Sequence, residues 1–263
     1  MKTDVTGTGS PVLIFIHGFA SGAEDWDPIV AHFSKTATCV AVTLRAHGNT
    51  TRGEKPLAIR ALADDVAADI AAQDYRDVIL VGHSMGTRIA AEVAVLCEDR
   101  VKGIVLVDGS NMAQVGRAAA LSTFDDALAK TGYATFTRGL FEAMFFDDAH
   151  DELRRRLVSR ALDFGDENGT ELYRSLVSWD AERFAPCFAK LTQPLLIIQA
   201  TTRGADGIRR SLGEDEVGTY EHLVRSHRPD AEVVSLPGHG HFVTYEAPDV
   251  CNRAIAGWMS SLG

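Results

Sequence analysis

The sequence predicts an α/β protein: an open, mostly parallel sheet with helices on both faces and one helical insertion between two strands. Three observations make the prediction. Short β-branched runs recur along the chain, and Ala-rich stretches of helical period separate them. One segment, residues about 111–190, breaks the alternation without offering a strand of its own.

The runs "VLIFI" (12–16), "CVAVT" (39–43), "DVILVG" (77–82), "GIVLVD" (103–108), "PLLIIQ" (194–199) and "AEVVSL" (231–236) read as strands. They are continuous rather than alternating, as strands covered on both faces are. Residues about 58–72, 85–97, 217–227 and 246–261 read as helices. In "ALADDVAADIAA", Leu62, Val66 and Ile70 recur every fourth residue while Asp64, Asp65 and Asp69 fall on other faces. Alternation of this kind places a site at the carboxyl ends of the strands. An eighty-residue structureless loop inside a compact domain is implausible. Segment 111–190, rich in aromatics and arginine, is therefore expected to be helices folded over the sheet. The expected division is a core of 1–110 and 191–263 and a lid of 111–190.

The 263 residues are 46% hydrophobic and 24% charged, ample material for a core. A formal net charge of −10 repels phosphate backbones and anionic lipid, so neither nucleic acid nor a membrane is an expected partner. Cys39, Cys97, Cys187 and Cys251 are far apart and form no CxxC pair, which suits buried thiols in a reducing compartment. The run after the polar start is too short for a signal-peptide core, and no eighteen uncharged apolar residues run together. A cytoplasmic protein is expected. No metal-ligand spacing, phosphate-cradling glycine loop or dinucleotide fingerprint stands out, so neither a metal nor a cofactor is expected.

The chemistry concentrates in "DVILVGHSMGTRIAAEVAVL" (77–96), a strand, a Gly82-His83-Ser84-Met85-Gly86 turn and a helix. A serine on so sharp a turn is strained, projects from the carboxyl edge of the sheet and sits at a helix N-terminus that favours negative charge. Its hydroxyl needs a base. His241, in "LPGHGHFVTYEAP" after the last predicted strand, comes from the same edge; His239 is the rival. The His17-Gly18 turn after the first apolar run lets the Phe19 N–H converge with that of Met85 on one oxyanion.

"HGF…W" (17–26), "LRAHGNT" (44–50), "GHSMG" (82–86) and "PGHGHF" (237–242) together resemble the α/β-hydrolase superfamily, in its branch of small lid-bearing esterases, lactonases and carbon–carbon hydrolases. The pieces span most of the chain in the family's order. The resemblance implies an α/β-hydrolase fold with a helical lid. Two positions depart from it: Thr43 stands where the family usually has aspartate, and Ala46 where it has glycine. Only about ten residues precede the first clear strand, so the family's edge hairpin is expected to be reduced.

Relatives carry the triad acid in one of two places. Asp108, 24 residues beyond Ser84 at the end of "GIVLVD", matches the early position; Asp206, in "QATTRGADG", is the runner-up for the late one. Asp108 ends a buried strand at the catalytic edge and is the preferred acid. In the lid, Phe141 and Phe145 with Met144 and Phe146, and Trp179 with Phe184, form apolar clusters from which Phe141, Phe145 and Trp179 are expected to line the pocket. The arginines of "ELRRRLVSR" (152–160) read as a solvated helix face. The expected function is a serine hydrolase that cleaves a small ester or lactone through an acyl-enzyme. Carbon–carbon or amide hydrolysis by the same mechanism is the alternative, followed by cofactor-independent perhydrolase or oxygenase chemistry or a ligand-sensing receptor. The partner is a small acyl substrate, and oligomeric state stays open.

Overall fold

Strand β2 (Val12–Ile16) shows how the apolar runs are used. Ile14 and Ile16 enter one core cluster and Leu13 and Phe15 the other, because successive side chains of a strand point to opposite faces. A computed structural model describes residues 1–147, 149–204 and 207–262 of the chain. Its main sheet contains β1 (Lys2–Thr6), β2, β3 (Thr38–Thr43), β4 (Val78–His83), β5 (Val101–Val107), β6 (Leu195–Gln199) and β9 (Glu232–Ser235). They lie in the order β1-β3-β2-β4-β5-β6-β9, and every pair is parallel except β1 with β3. The remaining strands, β7 (Thr201–Arg203) and β8 (Arg209–Ser211), form a separate antiparallel hairpin.

Helices α1 (Asp27–Phe33), α2 (Ile59–Ala72) and α3 (Gly86–Leu96) follow β2, β3 and β4. Between β5 and β6 lie α4 (Arg117–Glu142), α5 (Asp151–Asp163), α6 (Asp166–Glu182) and α7 (Phe184–Phe188), so the inserted segment is helical. The chain closes with α8 (Thr219–His227), α9 (Val243–Glu246) and α10 (Pro248–Ser261). Residues of α2 and α3 fill one core cluster; those of α1 and α10 fill the other. Helices on both faces of a mostly parallel sheet, with a helical lid over one edge, make the α/β-hydrolase fold.

The reduced edge takes the form of β1 alone, whose largely exposed residues give no apolar run to read. The arginine tract needs a correction. Arg160 does not face solvent: its guanidinium pairs with Glu24 and the buried Asp25, tying α5 to the core. Further ties hold the lid down. Glu171 of α6 accepts the Leu57 N–H at 2.7 Å, and Ser175 accepts the Ile59 N–H at 3.0 Å, at the start of α2.

All four cysteines are buried and unpaired. Burial pushes the Cys39 thiol up to about 11 and those of Cys187 and Cys251 to about 12, which removes them as nucleophiles at neutral pH. Among the described residues no helix is long and apolar enough to cross a membrane.

Candidate active site

Ser84 follows β4 directly with φ at +54°, a left-handed conformation rarely adopted by residues other than glycine. The turn closes because its flanking positions carry no side chain. A Cβ on Gly82 would lie 2.3 Å from the Gly86 carbonyl oxygen, and one on Gly86 would lie 2.2 Å from that of Ile16. These glycines are required by close approach of backbone to backbone. Arg88, the third residue of α3, fixes the same turn. Its Nη1 donates to the Ser84 carbonyl at 3.1 Å, and its Nε and Nη2 reach the two oxygens of Asp180 in α6 at 2.7 and 2.6 Å.

The Ser84 hydroxyl donates to His241 Nε2 at 2.9 Å, and His241 Nδ1–H donates to Asp108 Oδ2 at 2.6 Å. Asp108 directly follows β5 with φ at +42° and is fully buried. Its Oδ1 accepts the N–H groups of Ala200 and Thr201 at 2.8 and 2.7 Å and Gln199 Nε2 at 3.1 Å. Its Oδ2 also accepts the Thr201 hydroxyl at 2.6 Å and Arg209 Nη1 at 3.3 Å. The turn between β6 and β7 thus holds the carboxylate. Asp206 lies outside the described residues, and the rival base His239 remains partly exposed.

Two further residues contact His241, and the sequence reading passed over both. His83 Nε2 donates to the His241 carbonyl at 2.9 Å, with the two rings 4.7 Å apart. Arg209, carried in by the β7–β8 hairpin, brings Nη1 within 3.0 Å of His241 Nδ1. The hairpin was open to prediction, since β-branched and polar residues flank a Gly-containing turn in "TTRGADGIRRS". Burial holds the His241 pKa well below the usual imidazole range, and the cation of Arg209 adds to the effect. The imidazole is therefore neutral at pH 7, the form a general base requires.

The loop after β2 passes close to the serine. A Cβ on Gly18 would sit 3.2 Å from the Ser84 Cβ. His17 fixes this loop: its Nε2 accepts the Leu44 N–H at 3.1 Å and its Nδ1–H donates to the Gly18 carbonyl at 2.8 Å. Burial keeps that ring neutral, with its pKa lowered to about 3. Among the described residues, the Phe19 and Met85 N–H groups donate to no backbone carbonyl in these turns.

A cavity of about 30 Å³ beside Ser84 is lined by Phe19, Leu140, Met144, Tyr173, Arg88, Arg203 and Arg209, among others. Phe141, Phe145 and Trp179 are not in that lining. Phe145 stacks on Phe242 with ring centroids 5.5 Å apart, Phe141 lies 6.3 Å from the same ring, and Trp179 donates its indole N–H to the buried Glu92 at 2.7 Å. The reason is where α4 ends. Leu140 in its last turn and Met144 just beyond Glu142 line the cavity, whereas Phe141 and Phe145 pack against Phe242.

The family's aspartate and glycine positions are accommodated by other means. Ala46 takes the left-handed conformation itself, with φ at +64°. The Thr50 hydroxyl reaches the Leu44 and His47 carbonyls at 2.6 and 2.7 Å, and Arg45 Nη1 donates to the carbonyls of Arg52 and Lys55, both at 3.1 Å.

A model of the alpha/beta hydrolase family matches residues 13–254. The chain belongs to that family. It is 26% identical over 95% of its length to a putative esterase/lipase of Haemophilus influenzae, covering 84% of that protein. It is 25% identical over 97% of its length to a 2-(acetamidomethylene)succinate hydrolase of Mesorhizobium japonicum, covering 90% of that protein. Among solved structures it is similar to a thermophilic esterase from Thermogutta terrifontis, at a TM-score of 0.80 and 20% identity, with 99% of this chain and 93% of that one covered.

Proposed function

We propose that this enzyme is a serine hydrolase of small acyl compounds in which Ser84 is the nucleophile, His241 the base and Asp108 the residue that orients the base. One observation carries the proposal: the unbroken hydrogen-bonded series from Ser84 Oγ through His241 to Asp108, at 2.9 and 2.6 Å. Ser84 Oγ attacks the substrate carbonyl as its proton passes to His241 Nε2. The tetrahedral oxyanion is received by the N–H groups of Phe19 and Met85. His241 returns the proton to the leaving group, and the acyl-enzyme forms. Water, deprotonated by the same nitrogen, then releases the acid and restores Ser84.

The bond assigned is an amide, or a carbon–carbon bond beside a carbonyl. The likeness to the succinate-compound hydrolase over nearly the whole chain supports this assignment. Ester or lactone cleavage is the second reading, supported by the likeness to the putative esterase/lipase. Carbonyl chemistry is common to both. An amide, a β-diketone and a p-nitrophenyl ester sharing one short acyl group test it. The expected result is turnover of the amide or diketone that Ser84→Ala abolishes. Turnover of the ester alone decides for the second reading. No turnover of any, with no fluorophosphonate adduct on Ser84, refutes both.

A further inference from the structure

The cavity beside Ser84 holds more positive charge than its carboxylates balance. Arg88, Arg203 and Arg209 all line it. Arg88 is matched by Asp180 through two parallel hydrogen bonds. Arg209 shares Asp108 with His241. Arg203, at the end of β7, donates Nη1 to the Gly207 carbonyl at 2.7 Å, while its Nε is buried and meets no acceptor among the described residues. Among those residues no carboxylate lies within ion-pair distance of it. Among the described residues, three guanidinium groups therefore face two carboxylates, Asp180 bound to Arg88 and Asp108 bound to Arg209 and His241.

A partly desolvated cation without a counter-charge is costly, and a ligand that supplies the anion offsets that cost. Burial lowers the pKa of Arg203, and burial together with the Arg203 cation lowers that of Arg209 to about 9, the direction expected of under-neutralised groups. Location adds a second argument. Arg203, Met112 and Tyr173 line both the small cavity at Ser84 and an adjoining open cleft of about 370 Å³ beneath α4. A substrate entering by the cleft passes Arg203 before its carbonyl reaches the serine.

We propose that Arg203 is the anion-binding residue of this site and that the substrate carries a carboxylate remote from its reacting carbonyl. The guanidinium fork matches the two oxygens of a carboxylate. Arg209 lies behind it, occupied with Asp108, and adds field rather than a second fork. The assignment rests on the hydrolase reading above and narrows its substrates to acid-bearing acyl compounds.

The test compares the mono-p-nitrophenyl ester of glutarate with p-nitrophenyl pentanoate, equal in chain length and differing in the terminal carboxylate. The wild type is expected to favour the anionic ester by roughly 10- to 100-fold in kcat/KM, mainly through KM. Arg203→Met brings that ratio to about one, and Arg203→Lys keeps an intermediate value. Arg76→Met, which removes an exposed charge, leaves the ratio where it was. A wild-type ratio near one, or a ratio unchanged in Arg203→Met, overturns the proposal.

Calorimetry on Ser84→Ala reads the site without turnover. Glutarate is expected to bind, and to bind at least about tenfold more weakly when Arg203→Met is added. Binding of inorganic phosphate but not of glutarate contradicts the carboxylate assignment. If glutarate binds and neither these esters nor the amide and β-diketone named above turn over, the hydrolase reading fails and the anion site stands. If the neutral ester turns over without any anionic preference, the hydrolase reading stands and the anion site fails.

Discussion

Replacing Asp108 with asparagine alters one atom, and the surrounding donors dictate which way the new amide points. Oδ1 accepts two backbone N–H groups and the Gln199 amide, so the asparagine carbonyl must take that position. Its NH2 then falls where Oδ2 was, facing His241 Nδ1 at the 2.6 Å position. A donor there forces Nδ1 to become the acceptor and moves the ring proton to Nε2, the nitrogen that must receive the Ser84 proton. The stabilising charge opposite the imidazolium is lost as well. Together these effects are expected to lower kcat by roughly 10³–10⁴-fold, equivalent to about 4–5.5 kcal/mol of barrier. Arg209 loses its carboxylate too, so unfolding should become easier by roughly 1–3 kcal/mol. Steady-state rates on a chromogenic acyl substrate, with urea unfolding as a control for folding, measure both. Asp206→Asn serves as the comparator and is expected to stay near wild type. If Asp108→Asn keeps kcat within tenfold while Asp206→Asn collapses, the assignment of the acid is wrong.

Three other perturbations follow from the same geometry. Arg209→Met removes a cation that, after burial, holds the His241 pKa down, so the acid limb of kcat/KM should move to higher pH; an unmoved or lowered limb contradicts the role given to Arg209. Ala46→Gly relieves a left-handed alanine and should stabilise the fold by about 0.5–1 kcal/mol in urea titration, whereas a loss would show that the loop is not strained there. The buried neutral rings of His17, His47 and His83 should make the fold acid-sensitive. An unfolded ring takes its proton near pH 6.5 and the folded His17 only near about 3, so stability is present above the first value and is lost as pH falls toward the second. His17 contributes up to roughly 1.4 kcal/mol per pH unit in that window, and His47 and His83, whose pKa values burial also lowers, act in the same direction. Urea midpoints that stay flat from pH 7 to 4 would contradict it.

Strands buried on both faces were legible because their apolar runs are unbroken, as in β2 and β4. The exposed β1 carries no such signal. The Ser84 turn was legible because close backbone approach restricts Gly82 and Gly86 to one residue type, which leaves a mark in the sequence. Which lid side chains reach the serine was not, because Leu140, Phe141, Met144 and Phe145 are near neighbours around the end of α4, where long-range packing sets the path of the chain beyond Glu142. Size drew attention to the aromatics, while packing against Phe242 turned them inward. Arg209 and Arg203 were missed for a different reason. Their role depends on a short hairpin folding back onto the end of β5, a long-range placement that local periodicity does not encode.

In the proposed mechanism Ser84 carries the acyl group between two half-reactions driven by His241. Mixing enzyme with a chromogenic acyl substrate, quenching in acid within milliseconds and sequencing the peptides by mass spectrometry tests this directly. The acyl mass increment should appear on Ser84 in the wild type and be absent from His241→Ala over the same interval. An increment on another residue, or turnover with Ser84 unmodified in the wild type and fully active as Ser84→Ala, would contradict it.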